Sequence, residues 1–237
     1  MAEQKIGHVK MWVDDRGGSY PKLQPETYTA IIDEAHKGGL RVTAHLFTLD
    51  DAKGLVRANI DAFAHGVRDT DVDDEFMGLL KRRRDFVLVP NLPDRGVTVD
   101  LRWLRNRVSD GELQKLEAGN TNRPAAQAQF AIQARNLARM NAAGIRIALG
   151  SDGNVPWAPH QEMADMVASG MTPMQVIVAA TRNGAEFLRM KDAGTIEAGK
   201  SADFIVLDAN PLEDITHTRR IASVYLRGTA VNRASVP

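Results

Sequence analysis
Lysine, two histidines and an aspartate stand at the ends of four apolar, strand-like runs: Lys10 within residues 8–13, His45 after Val42-Thr43-Ala44, His65 after Ala62-Phe63-Ala64, and Asp152 after Ile147-Ala148-Leu149-Gly150-Ser151. Imidazole and carboxylate are the donors that hold zinc, manganese, iron or cobalt, and geometry chooses among these metals more than affinity does. A bound divalent ion lowers the pKa of its water from ~15.7 toward ~7 and polarises a scissile carbonyl. An aspartate beside that water is placed to take its proton. The four residues therefore point to a metal-dependent hydrolytic site, with zinc the first candidate.

Each residue also has a plainer reading. A lysine at a strand end is usually a solvated or snorkelling charge. A histidine in an apolar run is more often a hydrogen-bonded core residue than a ligand. Asp152, in Gly-Ser-Asp-Gly, has the surroundings of an Asx-turn or a helix cap. What favours chemistry is the coincidence of four such residues at successive strand ends, Asp152 above all. His160 suits a packing or capping role in a first helical turn, and His8, His36 and His217 read as structural. Asn91, just past an apolar run, and Trp157, in a Gly/Pro-rich loop, are candidate substrate contacts. Lys81-Arg82-Arg83-Arg84 sits where the helix dipole favours cations, which accounts for the run without nucleic acid.

Elements that would position these residues alternate in type. Strand-like runs over 9–13, 41–46, 60–64, 86–90 and 145–149 alternate with helical periodicity over 25–36, 50–57, 75–84, 101–117 and 125–143. Alternation of this kind implies right-handed βαβ units and a parallel sheet buried on both faces, an α/β fold. Chemistry in such folds lies beyond the carboxyl ends of the strands, where the four candidates fall. Five units are visible, whereas a closed barrel needs eight. Further helices are expected over 160–168 and 173–190, and the tail reads as short strands over 194–200, 202–207 and 223–228.

Composition narrows the partner. Thirty basic residues balance thirty acidic ones, which leaves no broad footprint for nucleic acid or an anionic membrane. The expected ligand is a small molecule. Cysteine is absent, excluding disulfides, thiolate metal sites and cysteine nucleophiles. The first residues lack the apolar region of a signal peptide, so cytoplasm is the expected compartment.

A set of ordered motifs carries a family resemblance. Gly150-Ser151-Asp152-Gly153, His160-Gln161-Glu162-Met163, Gly170-Met171-Thr172-Pro173-Met174, Ala180-Thr181-Arg182-Asn183-Gly184-Ala185 and Gly199-Lys200-Ser201-Ala202-Asp203-Phe204 resemble the C-terminal half of the amidohydrolase superfamily, in its imidazolonepropionase-like and prolidase-like branch. The resemblance implies a distorted (β/α)8 barrel with one or two divalent metals, and a β-sandwich built from both chain termini. Residues 1–192 would then be the last five strand-helix units of such a TIM-like barrel, and 193–237 part of the sandwich. It further implies that Lys10, converted to a carbamate by carbon dioxide, bridges two metals. His45 and His65 would bind the second metal, and Asp152 would bind the first and accept the proton of the attacking water.

One departure is plain: the family's His-x-His pair for the first metal occurs nowhere in this sequence. A proteolytic or cloned fragment, a split-gene product and a natural truncation all fit that absence. The resulting expectation is a metal-dependent hydrolase of an amide or cyclic-amide C–N bond. Ester, lactone or phosphotriester hydrolysis is the alternative within the class, and a catalytically silent half-barrel acting as a binding or assembly module is the alternative outside it. Open sheet edges lead to the further expectation of a homo-oligomer, or of completion by a separate N-terminal fragment.

Overall fold
The computed structural model describes residues 7–153 and 155–233. The N-terminal six residues, on which the expectation of no signal peptide rests, lie outside the described residues, as does Asn154 in the Gly/Pro-rich loop. The chain opens with β1 (His8–Val13), α1 (Pro25–Lys37), β2 (Arg41–Leu46), α2 (Leu49–Arg57), β3 (Ala62–Ala64), α3 (Asp74–Lys81) and β4 (Val87–Val89). Two helices, α4 (Asp110–Gly119) and α5 (Pro124–Ala142), precede β5 (Arg146–Ile147). The strands hydrogen-bond in chain order, and every pairing is parallel. The expected α/β fold with a parallel sheet is thus present, and all five carboxyl ends lie along one edge.

Local chemistry sets the boundaries. Pro25 occupies the first turn of α1, where its missing N–H costs nothing. Thr48 and Asp73 cap α2 and α3 by accepting the N–H groups of Asp51 and Phe76. Gly39 and Gly144 follow α1 and α5 at φ of +71° and +76°, a backbone that turns the chain back toward the sheet. Three helices come next, α6 (Ala158–Ala168), α7 (Pro173–Val178) and α8 (Gly184–Phe187). A second, antiparallel sheet holds β6 (Phe204–Leu207), β7 (Ile221–Leu226) and β8 (Thr229–Ala230). Its β7-β8 hairpin turns at Arg227 and Gly228, both at positive φ, as a two-residue turn between twisted strands requires.

The two faces of the parallel sheet differ. Met11, Val13, Val42, Ala44, Leu46, Phe63, Leu88 and Ile147 join one core with α1, α2, α3 and α5. On the other face the register aligns Lys10 with Thr43, Ala62, Val87 and Arg146, and Trp12 with His45 and Ala64. That face carries a small cluster of Ala62, Val87 and Ala148, with Val89 and Phe187 against it. Burial on both faces, expected from the sequence, holds at β3 and β4 but not at β1. There Lys10 and Trp12 are exposed, and β1 ends the ladder among the described residues.

Three sequence expectations change. Residues 101–117 form no single helix: a 3₁₀ turn spans Arg102–Leu104, Asn106 has φ +60°, and Ser109 caps α4 afresh. The stretch 173–190 is broken by a π-helical turn at Ala179–Asn183, because the Ala179 carbonyl accepts the Leu149 N–H at 3.1 Å and the Asn183 amide donates to Ile147 at 2.8 Å. Residues 194–200 contain turns, not a strand, with Gly194 and Gly199 at positive φ.

Phe63 is buried where β3 meets the helices, its ring edge-on to Phe86 at 4.9 Å and stacked on Phe76 at 6.4 Å. Phe63→Ala removes that keystone, and we expect a loss of about 3–5 kcal/mol in urea-induced unfolding. A loss below about 1 kcal/mol would show that the strand is not held by this aromatic cluster.

Candidate functional site
Four of the five strand ends converge on one cavity of about 640 Å³, lined by Trp12, Asp14, His45, His65, Arg68 and Asp152 among others. His45 and His65 are buried, and their rings meet edge to face with centroids 4.7 Å apart. Trp12 lies flat on His45, centroids 3.5 Å apart and planes 9° apart. Stacking and burial fix the imidazole in one orientation.

The ring nitrogens are differentiated by their partners. His45 Nε2 lies 3.1 Å from Asp14 Oδ2, so the proton belongs on Nε2, while the buried Nδ1 has no hydrogen-bond partner among the described residues. His65 Nδ1 points to the Asn91 carbonyl at 3.4 Å, a long contact that places the proton on that nitrogen. Its Nε2 faces Asp152 Oδ2 at 3.6 Å, beyond hydrogen-bond length. Burial first, then the Arg68 and His45 charges, push the His65 pKa down to about 4. Burial also lowers His45, against the pull of Asp14. Both imidazoles are therefore neutral at pH 7. Each presents an unprotonated nitrogen, the state a metal ligand needs.

Backbone conformation marks the same strand ends. His65, Asn91 and Asp152 have φ of +82°, +44° and +45°, a region that costs a non-glycine residue of order 1–3 kcal/mol. Surrounding contacts impose it. The buried Asn136 amide of α5 accepts the Val72 N–H at 2.8 Å and donates to the Val67 and Thr70 carbonyls, clamping the loop after His65. Glu162 of α6, also buried, accepts the Leu92 N–H at 3.0 Å and holds the loop after β4. Gly150 is required because a Cβ there would lie 2.3 Å from Val89 Cγ1 and 2.5 Å from Asn91 Oδ1.

The sequence candidates do not all share one place. His45, His65 and Asp152 come together, although the Asp152 side chain is 61% exposed. Lys10 is exposed on the face that carries His45, two register rows from the strand end, and its charge helps to lower the His45 pKa. Asn91 sits beneath His65. Trp157 opens α6 and lines a neighbouring, largely apolar cavity of about 420 Å³ together with Ser151, Glu162 and Asp165. Among the described residues, no group of three or more His, Asp or Glu is arranged to hold a metal ion.

Two members of the site escaped the sequence reading. Asp14 directly follows β1, so the strand-end rule that selected Lys10 applies better to it. Arg68 gave no local signal. Its Nε and Nη2 are buried without a hydrogen-bond partner among the described residues, and Asp14 and Asp152 offset only part of the burial that lowers its pKa. The remaining histidines have partners elsewhere: His8 with Thr43, His36 with Asp61, His160 with Thr218 and His217 with the Asn210 carbonyl.

A conserved-family model for the amidohydrolase family matches residues 17–231. The chain belongs to the amidohydrolase family. It is 32% identical over 110 residues to imidazolonepropionase of Shouchella clausii, covering 43% of this chain and 25% of that protein. It is 33% identical over 109 residues to 5-methylthioadenosine/S-adenosylhomocysteine deaminase of Moorella thermoacetica, covering 40% of this chain and 26% of the relative. A solved Xaa-Pro dipeptidase with methionine in its active site superposes with a TM-score of 0.73 at 26% identity, over 97% of this chain and 55% of the dipeptidase. The chain thus spans about half the length of this structural relative, and its matches span about a quarter of the other two. The amidohydrolase chain has no described helix long and apolar enough to cross a membrane.

Behind the strand ends, α6 carries two buried acids. Burial pushes Asp165 up to about 6 although Arg95 Nε lies 2.7 Å away, and it pushes Glu162 well above the usual carboxylate range. For Asp165 the folded state holds its proton more tightly than the unfolded chain does. Its contribution is fully present below the unfolded value of about 3.8 and is lost as pH rises through about 6. We expect Asp165→Asn, compared with the parent by urea unfolding, to gain about 2 kcal/mol of relative stability between pH 4 and pH 7. A pH-independent difference between the two proteins would refute the burial argument.

Proposed function
We propose that the chain carries the second-metal half of the active site of a metal-dependent amidohydrolase, which cleaves an amide or cyclic-amide C–N bond. The observation that carries this reading is the pair of buried, neutral imidazoles, each with one ring nitrogen protonated toward an oxygen and the other left as a lone pair. Their chemistry fits a divalent cation, zinc first. His45 and His65 would hold it together with a carbamate on Lys10, and Asp152 would stand beside it as the proton acceptor. Such an ion supplies an acidified water and an electrophile for the carbonyl.

The chain's own groups divide the remaining work. Asp14 orients His45 and sets its tautomer, as carboxylates do behind metal-bound histidines. Asp152 Oδ2, 3.6 Å from His65, takes the proton of the attacking water. Arg68, which lines the cavity and has two donors without a partner among the described residues, supplies positive charge for the developing oxyanion or an anionic group of the substrate. Asn91 shapes the floor, and Trp157 with the apolar cavity beside Ser151 takes an apolar substituent of the substrate.

Architecture supports the same reading. We place the five parallel strands as consecutive units of a (β/α)8 barrel, with 193–237 belonging to a composite β-sandwich. β1 and β5 are then edges that a second copy of the chain, or the remaining strand-helix units, would cover. The second reading, a silent module, is favoured by one observation: the described residues contain no three-ligand cluster.

Purified protein should take up at most about one zinc ion, and His45→Ala with His65→Ala should abolish that uptake. With zinc and a panel of N-acyl amino acids, dipeptides and cyclic imides, Asp152→Asn should lower turnover at least ~100-fold while retaining the fold. Zinc uptake without hydrolysis of any compound would establish the silent module, and undiminished zinc in the double variant would refute the ligand assignment. Light scattering should show a dimer or larger assembly, and a stable 26.0 kDa monomer would show that the sheet edges are managed within one chain.

A further inference from the structure
At the other end of the sheet the turns that lead into the strands enclose a separate cavity of about 710 Å³. Charge there departs from the neutrality of the whole chain. Arg41, Lys81, Arg82, Arg83, Arg84 and Arg189 line it against only two carboxylates, Asp61 and Asp85. Asp61 is already engaged, since its Oδ2 accepts the Val42 N–H at 2.7 Å and meets His36 Nε2 at 2.8 Å. The helix dipole accounts for cations at the end of α3, but not for Arg41 at the start of β2 or Arg189 after α8, which the fold brings to the same place.

The guanidinium groups are held, and their donors are not exhausted. Arg41 Nη1 donates to the Phe187 carbonyl at 2.6 Å, and Arg189 Nη1 to the Gly39 carbonyl at 2.9 Å. Each contact fixes one prong of a five-donor fork. Arg83 Nη2 donates to the Asn59 carbonyl at 3.2 Å, whereas its Nη1 is buried without a hydrogen-bond partner among the described residues. A buried donor without an acceptor is costly, and a burial-weakened cation beside other cations more so. An anion in the cavity would relieve both penalties. Arg is the side chain best matched to phosphate geometry.

Shape and lining restrict the anion. The lining includes no Phe, Tyr or Trp on which a base would stack, its one ring, His36, is already tied to Asp61, and Leu40 is its one apolar side chain. We propose that this basin is a second ligand site, distinct from the strand-end site, that binds a compact anion with adjacent phosphate groups, of the inorganic polyphosphate class. Recognition is by forked arginines held by backbone carbonyls on three separate turns, with Lys81 and Arg84 adding charge at the rim.

Calorimetric titration of the full chain with sodium tripolyphosphate, in metal-free buffer at low salt, tests the site. Saturable binding with a Kd below about 100 μM is expected, together with a rise in Tm. Arg83→Gln with Arg189→Gln should weaken binding at least ~10-fold, in line with the strength of charge-assisted hydrogen bonds. Because Arg83 is partly buried, the exposed pair Lys81→Gln with Arg84→Gln is the control for folding, and it should weaken binding about 3-fold through lost charge. Adenosine triphosphate should bind within about 3-fold of tripolyphosphate, since the basin offers a base no Phe, Tyr or Trp face and its His36 ring is held by Asp61. The proposal is overturned by any of three results: no saturable binding to the parent chain, unchanged affinity in both double variants, or clearly tighter binding of adenosine triphosphate or an oligouridylate than of tripolyphosphate.

Discussion
The parallel ladder is the constraint on which the rest of this molecule depends. Because each strand runs the same way as its neighbour, every βα turn is delivered to one edge of the sheet and every αβ turn to the other. Residues as distant in sequence as Asp14 and Asp152, or Arg41 and Arg189, thereby share a rim without lying in a common local motif. The two buried histidines gather on the first rim with Asp14, Asp152 and Arg68, and a surplus of guanidinium groups on the second. A single backbone arrangement sorts the two chemistries by sequence position relative to a strand.

Burial then decides what those groups can be. His45 and His65 stay neutral because the interior penalises imidazolium and because Arg68 adds a like charge. Asp14 remains ionised for the opposite reason: the Arg16 N–H and the His45 ring outweigh the cost of its partial burial. Acids, bases and tautomers at the strand ends are thus set by depth and neighbours, and the left-handed backbone of His65, Asn91 and Asp152 is the local cost of presenting them. Two buried polar side chains of flanking helices, Asn136 and Glu162, hold the loops in that conformation.

The two faces of the parallel sheet are packed differently. The face bearing Ala62, Val87 and Ala148 carries a cluster of small and branched side chains, while the bulky Phe63 and Leu88 join the main core with the helices. Trp12, exposed on β1 and stacked on His45, joins the first of these faces to the candidate site.

How far the sequence reached is clear from particular residues. Strand-helix alternation, the glycine and proline punctuation around α1 and α5, and the placing of His45, His65 and Asp152 at strand ends were all legible, because periodicity and turn chemistry are local. The break of 173–190 at Ala179 was not, since it answers to a hydrogen bond from Leu149, thirty residues upstream. Nor was Arg68, whose role comes from the two carboxylates that face it, or the convergence of Arg41 and Arg189 on the turn after α3. Local propensity determined which elements form and which residue types cap them. Only the tertiary structure decided which side chains lose water, which nitrogen of each histidine keeps its proton, and which cations share a cavity, because desolvation and through-space charge depend on neighbours that the chain order does not reveal.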